Sequence, residues 1–404
     1  MTDNQVSTIK TTTSARDASL DQVRGVAIFL VMLGHCIVLN GLDEQDPYIY
    51  DVIKSVQMPL FMLISGVVAA LSGLSLRKLQ KRAAAYLLPF FSWFVVAYFL
   101  ARIREKLQHV PVQLSIGGFL GELKDLLFQT DRGLWFFMTL FVITVLMTLA
   151  YEIATVVTGM ATKKTSEKAA KNIAGNEGYK SEAAVVVLTI LVSIVLYLLV
   201  FLQARSGNTL LSPSLTLLYM PYYVMGYGMH KIWNVLRDKT PGKTLAKVEP
   251  AFLTILLMAF LALVILCPLS VPASSAKELL LQLLASVTGT VSLFGLLRRL
   301  FRWLGSGHDN RRVVAFLMKA LTAMGQATVE IYVLHFRFAR ILRLSERGLV
   351  LYSPEGFAAI LLNLMLMGLL TEIFILLIRK IPPLAFLLFG KKSGGRPKEP
   401  ASQE

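Results

Sequence analysis

Apolar runs of about 20 residues recur from one end of this chain to the other, each long enough to cross a lipid bilayer as a helix. Backbone N–H and C=O groups inside lipid must find partners within the chain, which restricts such a sequence to membrane helices. The predicted fold is therefore all-α, a polytopic bundle of about ten transmembrane helices. The ten predicted spans cover residues 20–39, 49–71, 83–101, 133–158, 183–204, 213–233, 250–270, 278–297, 313–339 and 356–378.

Charge distribution predicts how the bundle is oriented. Only 16% of the 404 residues are charged, whereas soluble proteins average about a quarter. The net charge of +16 comes from lysines and arginines concentrated in alternate connecting segments, so we expect no nucleic-acid partner. Because basic residues stay on the cytoplasmic side, both termini are predicted to be cytoplasmic. The expected location is the bacterial cytoplasmic (inner) membrane.

The chain is predicted to be one membrane domain between two cytoplasmic tails. Residues 1–19 are polar and rich in Ser and Thr, which indicates a disordered tail. Residues 20–380 form the membrane domain, and residues 381–404 form a basic tail. Cys36 and Cys267 both lie in apolar runs, so no structural disulfide is expected.

Arg24 and His35 are ionisable residues inside the first apolar run. Such residues are costly in a membrane span and by default indicate a functional site. Their separation of eleven residues is close to three helical turns, which places both side chains on one face, about 16 Å apart along the axis. The alternative is that both snorkel to the membrane surfaces, which fits Arg24 as well as a functional role does and fits His35 less well.

Five segments resemble, in order and spacing, the acyltransferase-3 family of integral membrane O-acyltransferases, in particular its fucose 4-O-acetylase-like branch. The hallmark of that family is an arginine followed, after ten residues, by a histidine, as in Arg24 and His35. The other four segments are Gln57-Met58-Pro59-Leu60-Phe61-Met62-Leu63-Ile64-Ser65-Gly66, Leu134-Trp135-Phe136-Phe137, Pro221-Tyr222-Tyr223-Val224-Met225-Gly226-Tyr227 and Gly325-Gln326-Ala327-Thr328-Val329-Glu330-Ile331-Tyr332-Val333-Leu334-His335. The chain departs from the family at Thr328, where Ser is frequent, and at Gly133, where many members carry a polar residue.

The resemblance implies a membrane O-acyltransferase in which Arg24 and His35 are both essential. Acylation of a hydroxyl needs a base to take its proton, and histidine suits that role. Arg24, near the predicted cytoplasmic end, offers a fork of donors for the phosphates of coenzyme A. Two alternatives for the chemistry stay open: His35 could carry the acyl group itself, and Cys36 is a weaker candidate as a covalent thiol.

We therefore predict an acetyl-CoA-dependent O-acetyltransferase that modifies a hydroxyl of an envelope polysaccharide or a lipid-linked sugar. Acetyl-CoA or another short acyl-CoA is the expected co-substrate, and neither a bound cofactor nor a metal is expected. Membrane lipids are expected partners, and a homo-oligomer is possible. The main alternative is a multi-pass transporter of polar or lipid-linked substrates. A second alternative is a non-catalytic partner of other envelope enzymes.

Two basic clusters are further candidates for ligand binding. Arg298, Arg299 and Arg302 lie at a predicted inner end, where they either join the donor site or contact lipid head groups. Arg340 and Arg343 belong to an outer group with Arg337 and Arg347. Arg337, Arg340 and Arg343 would share one face if the helix continued, so we predict that the outer group holds an anionic acceptor.

Glu330, Tyr332 and His335 in the ninth span are second-tier site candidates. Glu330 could orient His35 or bind hydroxyls of the acceptor, or it could only pair with a neighbouring helix. His335 is equally well explained as a catalytic or an interfacial histidine. Trp135 and Ser65 are weaker candidates, because such residues usually serve interfacial packing and close helix approach.

Overall fold

The computed structural model describes residues 17–44, 48–110, 115–128, 134–166, 177–239, 242–266, 275–305 and 312–390. These residues contain helices and turns and no strand, which confirms the predicted all-α bundle. The helices are α1 (Ala18–Val38), α2 (Tyr48–Ser72), α3 (Leu76–Leu107), α4 (Ile116–Phe128), α5 (Trp135–Ser166), α6 (Glu177–Arg205), α7 (Pro213–Lys239), α8 (Gly242–Leu266), α9 (Ala276–Trp303), α10 (Arg312–Gln326), α11 (Thr328–Leu334), α12 (Pro354–Arg379) and α13 (Pro382–Phe389).

Each of the ten predicted spans corresponds to a helix or a helix pair within the described residues. Eight helices are long and apolar enough to cross a bilayer, and α10 with the segment after it adds a ninth as a bent pair. The remaining predicted span, residues 213–233, is α7, which does not reach the same apolarity. Its buried tyrosines, Tyr222, Tyr223 and Tyr227, nevertheless place it inside the bundle, against α2.

The ninth predicted span is not one continuous helix, so that expectation is wrong. α10 and the segment Thr328–Phe338 meet at an angle of 73°. The Thr328 hydroxyl, at this break, donates to the backbone carbonyls of Met324 (3.3 Å) and Gly325 (2.8 Å). Such back-bonding by Thr competes with the helix and bends it. The segment ends in a 3₁₀ turn, His335–Phe338.

Glycines allow two pairs of helices to touch backbone to backbone. A Cβ at Gly25 of α1 would collide with the carbonyl oxygen of Leu321, and one at Gly325 of α10 would collide with that of Asp21. Gly66 of α2 and Gly226 of α7 make the same kind of reciprocal contact. Close approach at small residues is how membrane helices associate without a hydrophobic driving force between them.

The ends of the membrane domain differ slightly from the predicted boundaries. α1 begins at Ala18, with the Asp17 carboxylate accepting from the Ser19 backbone N–H (3.1 Å), so two residues of the predicted N-terminal tail are helical. The first part of the predicted C-terminal tail forms α13, where the Leu388 carbonyl accepts from the Trp93 indole of α3 (2.9 Å). Residues 1–16 and 391–404, together with Gly133 and Cys267, lie outside the described residues.

Candidate active site

Two histidines from separate elements meet in the interior of the bundle. His35 is near the end of α1, and His335 begins the 3₁₀ turn after α11. Their ring centroids are 5.3 Å apart, with the rings tilted by 40°. Only 1% of His335 is exposed, so this residue is not the interfacial histidine that the sequence left as an alternative. The sequence placed both residues among its candidates, and the structure brings them together.

The hydrogen bonds of the two imidazoles leave basic nitrogens available. Nδ1 of His335 lies 2.8 Å from the Ile331 carbonyl oxygen, which can only accept, so Nδ1 carries the proton. Nε2 of His335 therefore presents a lone pair. Within the described part of the chain, this Nε2 and Nδ1 of His35 are buried and have no hydrogen-bond partner. Buried nitrogens without partners are unusual and indicate a place where a ligand completes the site.

Aromatic side chains enclose the histidine pair on one side. The Tyr332 ring lies 6.1 Å from that of His335 and contacts Phe136 (5.3 Å) and Phe137 (5.2 Å) of α5. Trp135 stacks on Tyr219 of α7 at 5.2 Å. The predicted candidates Tyr332 and Trp135 therefore belong to one aromatic wall, in which Tyr332 touches the histidine and Trp135 lies one ring further out.

Two buried asparagines fix the backbone around the histidines. Asn40, just after α1, and Asn363 of α12 both donate to the Ala339 carbonyl, at 2.9 and 2.8 Å. Their carbonyl oxygens accept backbone N–H groups from Leu344 (2.9 Å) and Leu342 (3.0 Å). This clamp ties the loop that follows His335 to α1 and α12, so it sets how the two histidines face each other.

Cys36 belongs to the same structural network. Asn363 Nδ2 donates to its sulfur (3.1 Å), and the thiol lies 3.8 Å from the Ile360 carbonyl oxygen. A buried thiol that is engaged in this way behaves as a small packing residue. These contacts support the histidines rather than Cys36 as the reactive groups.

Gln57 of α2 is a polar residue that lies against the segment of α1 that carries His35. It is 93% buried, since its exposed fraction is 7%, and its Oε1 has no partner among the described residues. A Cβ built on Gly34, the residue before His35, would lie 3.0 Å from that oxygen. The absence of a side chain at Gly34 therefore makes room for the Gln57 amide beside His35.

Arg24 lies on the same uninterrupted helix as His35, as predicted. α1 runs without a break from Ala18 to Val38, so the separation of about 16 Å along the axis holds. Asp21, which is buried, lies 3.5 Å from the Arg24 guanidinium, and Arg24 is a quarter exposed. Arg24 and Arg82 also lie close enough to the Tyr86 phenol to interact with it electrostatically. Arg24 therefore sits in a polar region at the predicted cytoplasmic end of the bundle.

The inner arginine cluster pairs with acidic residues beside a large cavity. Asp17 accepts from Arg298 (2.7 Å) and Arg302 (3.2 Å), and Arg299 lies 3.6 Å from Glu249. All three arginines line a cavity of about 750 Å³ with mostly apolar walls. Neither Arg24 nor His35 lines that cavity, so the structure does not join the cluster to the histidine site directly.

Asp17 keeps its charge because of this pairing. Burial raises the pKa of its carboxyl group, but the hydrogen bonds from Ser19 and Arg298 and the charges of Arg298 and Arg302 outweigh burial. The pKa of Asp17 is therefore held below its ordinary value. The carboxylate consequently serves both as the cap of α1 and as an ionic tie to α9.

Glu330 pairs with a neighbouring helix, which was one of the alternatives for this residue. Its carboxylate, almost fully buried, lies 3.0 Å from the Arg379 guanidinium at the end of α12. Glu330 and His335 are five residues apart, which turns them to different faces of a helix. The Ser65 hydroxyl donates to the Phe61 carbonyl within α2 (2.8 Å).

The outer arginines do not form one helical face. The chain after Phe338 turns rather than continuing as a helix, and Arg343 has a positive φ of 47°. Arg340 and Arg343 both pair with Glu346, at 3.2 and 3.6 Å, and Arg347 donates to the Leu342 carbonyl (2.9 Å). The prediction of a shared face is therefore wrong, because it required the helix to continue.

Comparison with known proteins decides the family. The sequence model of a family described as an acyltransferase domain matches residues 17–389. The chain belongs to the acyltransferase-3 family. This acyltransferase-3 protein is 38% identical over 91 residues to nodulation protein NolL of Mesorhizobium japonicum, a match that covers 20% of this chain. The chain spans 24% of the length of that relative, and no solved structure matches it.

Membership of the acyltransferase-3 family confirms the prediction made from Arg24, His35 and the other motifs. Together with the apolar helix bundle, it indicates an integral membrane domain of that family. Within the described residues, no group of three or more His, Cys, Asp or Glu side chains could hold a metal ion.

Sequence reasoning missed three polar residues of the site. Gln57 begins one of the five motif segments but is not among the predicted site residues, and neither are Asn40 and Asn363. The available signal was the same one that indicated His35, since polar residues in or beside membrane spans are costly and usually face the bundle interior.

Proposed function

We propose that this protein is an O-acyltransferase of the bacterial cytoplasmic membrane that moves a short acyl group, foremost acetyl, from acyl-CoA to a sugar hydroxyl. The acceptor is an envelope polysaccharide or a lipid-linked sugar. The observation that carries the proposal is the contact of buried His335 with partly buried His35 at 5.3 Å, with a buried ring nitrogen on each that has no partner among the described residues. A base that is shielded from water is what the attack of a hydroxyl on a thioester needs.

His35 carries the proton during transfer, and His335 stabilises the protonated His35. The acceptor oxygen bonds to the thioester carbonyl carbon while His35 takes the hydroxyl proton. When the tetrahedral intermediate collapses, the carbon–sulfur bond breaks and the coenzyme A sulfur receives that proton from the His35 imidazolium. Nε2 of His335, fixed as a lone pair by the Ile331 carbonyl, accepts a hydrogen bond from the imidazolium and stabilises it.

Arg24 binds the donor. Its guanidinium lies three helical turns from His35, on the predicted cytoplasmic side where coenzyme A is made. A span of about 16 Å matches the reach of an extended pantetheine arm, which lets the phosphates stay near Arg24 while the thioester reaches His35. Arg298, Arg299 and Arg302 add positive charge at the predicted inner ends of the helices.

Inside-out membrane vesicles with radiolabelled acetyl-CoA test the proposal. Label is expected in glycan or lipid-linked sugar with the intact protein and not with His35→Ala at matched abundance. Arg24→Ala is expected to raise the KM for acetyl-CoA by about tenfold or more, since a charged hydrogen bond to phosphate is lost. Arg77→Ala, an exposed arginine at the start of α3, serves as the matched control.

Unchanged labelling by His35→Ala, or an unchanged KM in Arg24→Ala, would contradict the assigned roles. If no acyl-CoA labels any product, the acyltransferase proposal fails for these substrates. Counterflow of a labelled polar or lipid-linked substrate in the same vesicles would then favour the transporter alternative.

A further inference from the structure

Three buried polar atoms without partners among the described residues belong to the histidine pair or to a residue packed against the position before His35. They are Nδ1 of His35, Nε2 of His335 and Oε1 of Gln57, and they come from α1, the 3₁₀ turn and α2. Gln57 lies against Gly34, one residue before His35, and both Gln57 and His335 are more than nine-tenths buried. Each such atom costs free energy in the empty site, so a ligand that satisfies all three recovers that cost.

The chemistry of these atoms restricts the ligand. Nε2 of His335 is a lone pair because Nδ1 holds the proton, and a carboxamide oxygen only accepts. Because the His35 imidazolium donates to Nε2 of His335 once His35 has taken a proton, the ligand must present one hydroxyl to His35 and a second donor to Gln57 Oε1. A thioester carbonyl has no donor, and a phosphate or carboxylate would place negative charge against two acceptors. Hydroxyl groups on adjacent carbons of a sugar provide two such donors.

We propose that Gln57 is an acceptor-binding residue that recognises a hydroxyl neighbouring the one that is acylated. This inference rests on the function proposed above and names its substrate more closely, as a sugar with two vicinal hydroxyls. One hydroxyl gives its proton to His35 and receives the acyl group. The neighbouring hydroxyl donates to Gln57 Oε1 and is left free in the product.

The aromatic wall suits the same ligand. Ring contacts run outward from His335 through Tyr332, Phe136 and Trp135 to Tyr219, and neutral sugars pack their C–H faces on such rings. Phe336 contacts His35 edge-on at 5.3 Å and is half exposed, so the His35 ring is bounded on a second side. A neutral polyol fits this mixture of rings and acceptor atoms better than an anion does.

The variant Gln57→Met tests the proposal, since methionine has nearly the same size and no strong hydrogen-bonding group. Transfer of label from acetyl-CoA to the endogenous glycan of membrane vesicles is expected to fall by about tenfold or more. The Kd of purified Gln57→Met for radiolabelled acetyl-CoA is expected to stay unchanged. Gln57→Asn, which shortens but keeps the amide, is expected to retain more transfer than Gln57→Met.

Thr371→Val is the matched control, because Thr371 of α12 also has a buried hydroxyl without a partner among the described residues. It is expected to transfer label at the wild-type rate. NMR of the labelled product provides an independent readout, with a free hydroxyl expected on the carbon next to the ester.

The possible outcomes distinguish the role of Gln57 from the proposed acyltransferase function. Wild-type transfer by Gln57→Met, a weakened Kd for acetyl-CoA, or an ester with no neighbouring hydroxyl would overturn the role of Gln57 and leave the proposed function standing. Failure of the wild-type protein to label any acceptor would overturn the proposed function, and the inference with it. Loss of folding is excluded by equal abundance and equal thermal unfolding of the variants.

Discussion

His335 can act in acyl transfer only through Nε2, because Nδ1 is committed to the Ile331 carbonyl at 2.8 Å. We expect His335→Ala to lower kcat by about 10- to 100-fold, because the His35 imidazolium loses a hydrogen bond that involves a charged group. Glutamine places an amide near the position of Nε2, whereas asparagine places one near Nδ1. We therefore expect His335→Gln to retain more activity than His335→Asn, measured as acetyl transfer in vesicles.

The control is His109→Gln, which changes an exposed histidine at the end of α3 and is expected to have wild-type activity. Equal activity of His335→Asn and His335→Gln would contradict a role for Nε2. Full activity of His335→Ala would remove the residue from the site altogether.

Asp17 provides a prediction about pH, since its pKa is held below the ordinary value. A carboxyl with a lowered folded pKa contributes stability above its unfolded pKa, near 3.9, and loses it as the pH falls through the folded pKa. We expect Asp17→Asn to lower the thermal unfolding temperature in detergent by a constant amount between pH 5 and 8, with the difference shrinking below about pH 4.

The Asp17→Asn variant separates the ionic tie of Asp17 from its role as a helix cap. Asparagine keeps the cap of α1 but loses the charge that binds Arg298 and Arg302, so it isolates the ionic tie. A difference that stays constant down to pH 3 would show that Asp17 acts through hydrogen bonding alone.

At the scale of helices, the asparagine clamp predicts that distant residues control the histidine pair. Asn363→Leu removes the donors to Ala339 and Cys36 and leaves the Leu342 N–H unpaired. We expect it to lower the free energy of unfolding by about 1–3 kcal/mol, the cost of buried groups without partners. Its kcat is expected to fall with the KM for acetyl-CoA unchanged, because Asn363 positions the histidines and touches no substrate.

The conservative variant Cys36→Ser separates this clamp from thiol chemistry. Its hydroxyl can still accept from Asn363, so both activity and stability are expected to stay close to wild type. An inactive but folded Cys36→Ser would restore Cys36 as a nucleophile.

The positions of the membrane helices could be predicted from the sequence. The break in the ninth span and the contact between the two histidines could not. Apolar runs report burial in lipid, which is why all ten segments were located. The bend at Ala327 depends on where one hydroxyl, that of Thr328, finds its acceptors, and a hydropathy pattern does not contain that information. The contact of His35 with His335 depends on how α1 packs against a segment 300 residues away.

Which helices the glycines bring together could not be predicted from the sequence either. The sequence motifs contain Gly66, Gly226 and Gly325, and Gly25 follows the motif arginine, but which helices these glycines join is decided by packing. In the structure they pair α2 with α7 and α1 with α10, next to the elements that carry Gln57, Arg24 and His335. The motifs therefore mark both the reacting groups and the close helix contacts that hold them in place.

The orientation of the whole molecule in the membrane decides from which side acyl-CoA reaches Arg24. The prediction from basic residues places the end of α1 with Arg24 in the cytoplasm. Labelling with a membrane-impermeant maleimide tests it, using Ser206→Cys, an exposed position between α6 and α7, and Lys81→Cys, an exposed position near the start of α3. The background carries Cys267→Ala and retains the buried Cys36.

We expect Ser206→Cys to react in intact spheroplasts and Lys81→Cys to react only after permeabilisation. Both sites must also react fully in detergent, which controls for local accessibility. The opposite pattern would place Arg24 on the outer side, where coenzyme A is absent, and the path of the donor from Arg24 to His35 would then be ruled out. The expected pattern ties the direction of acyl transfer to the order of Arg24 and His35 along α1.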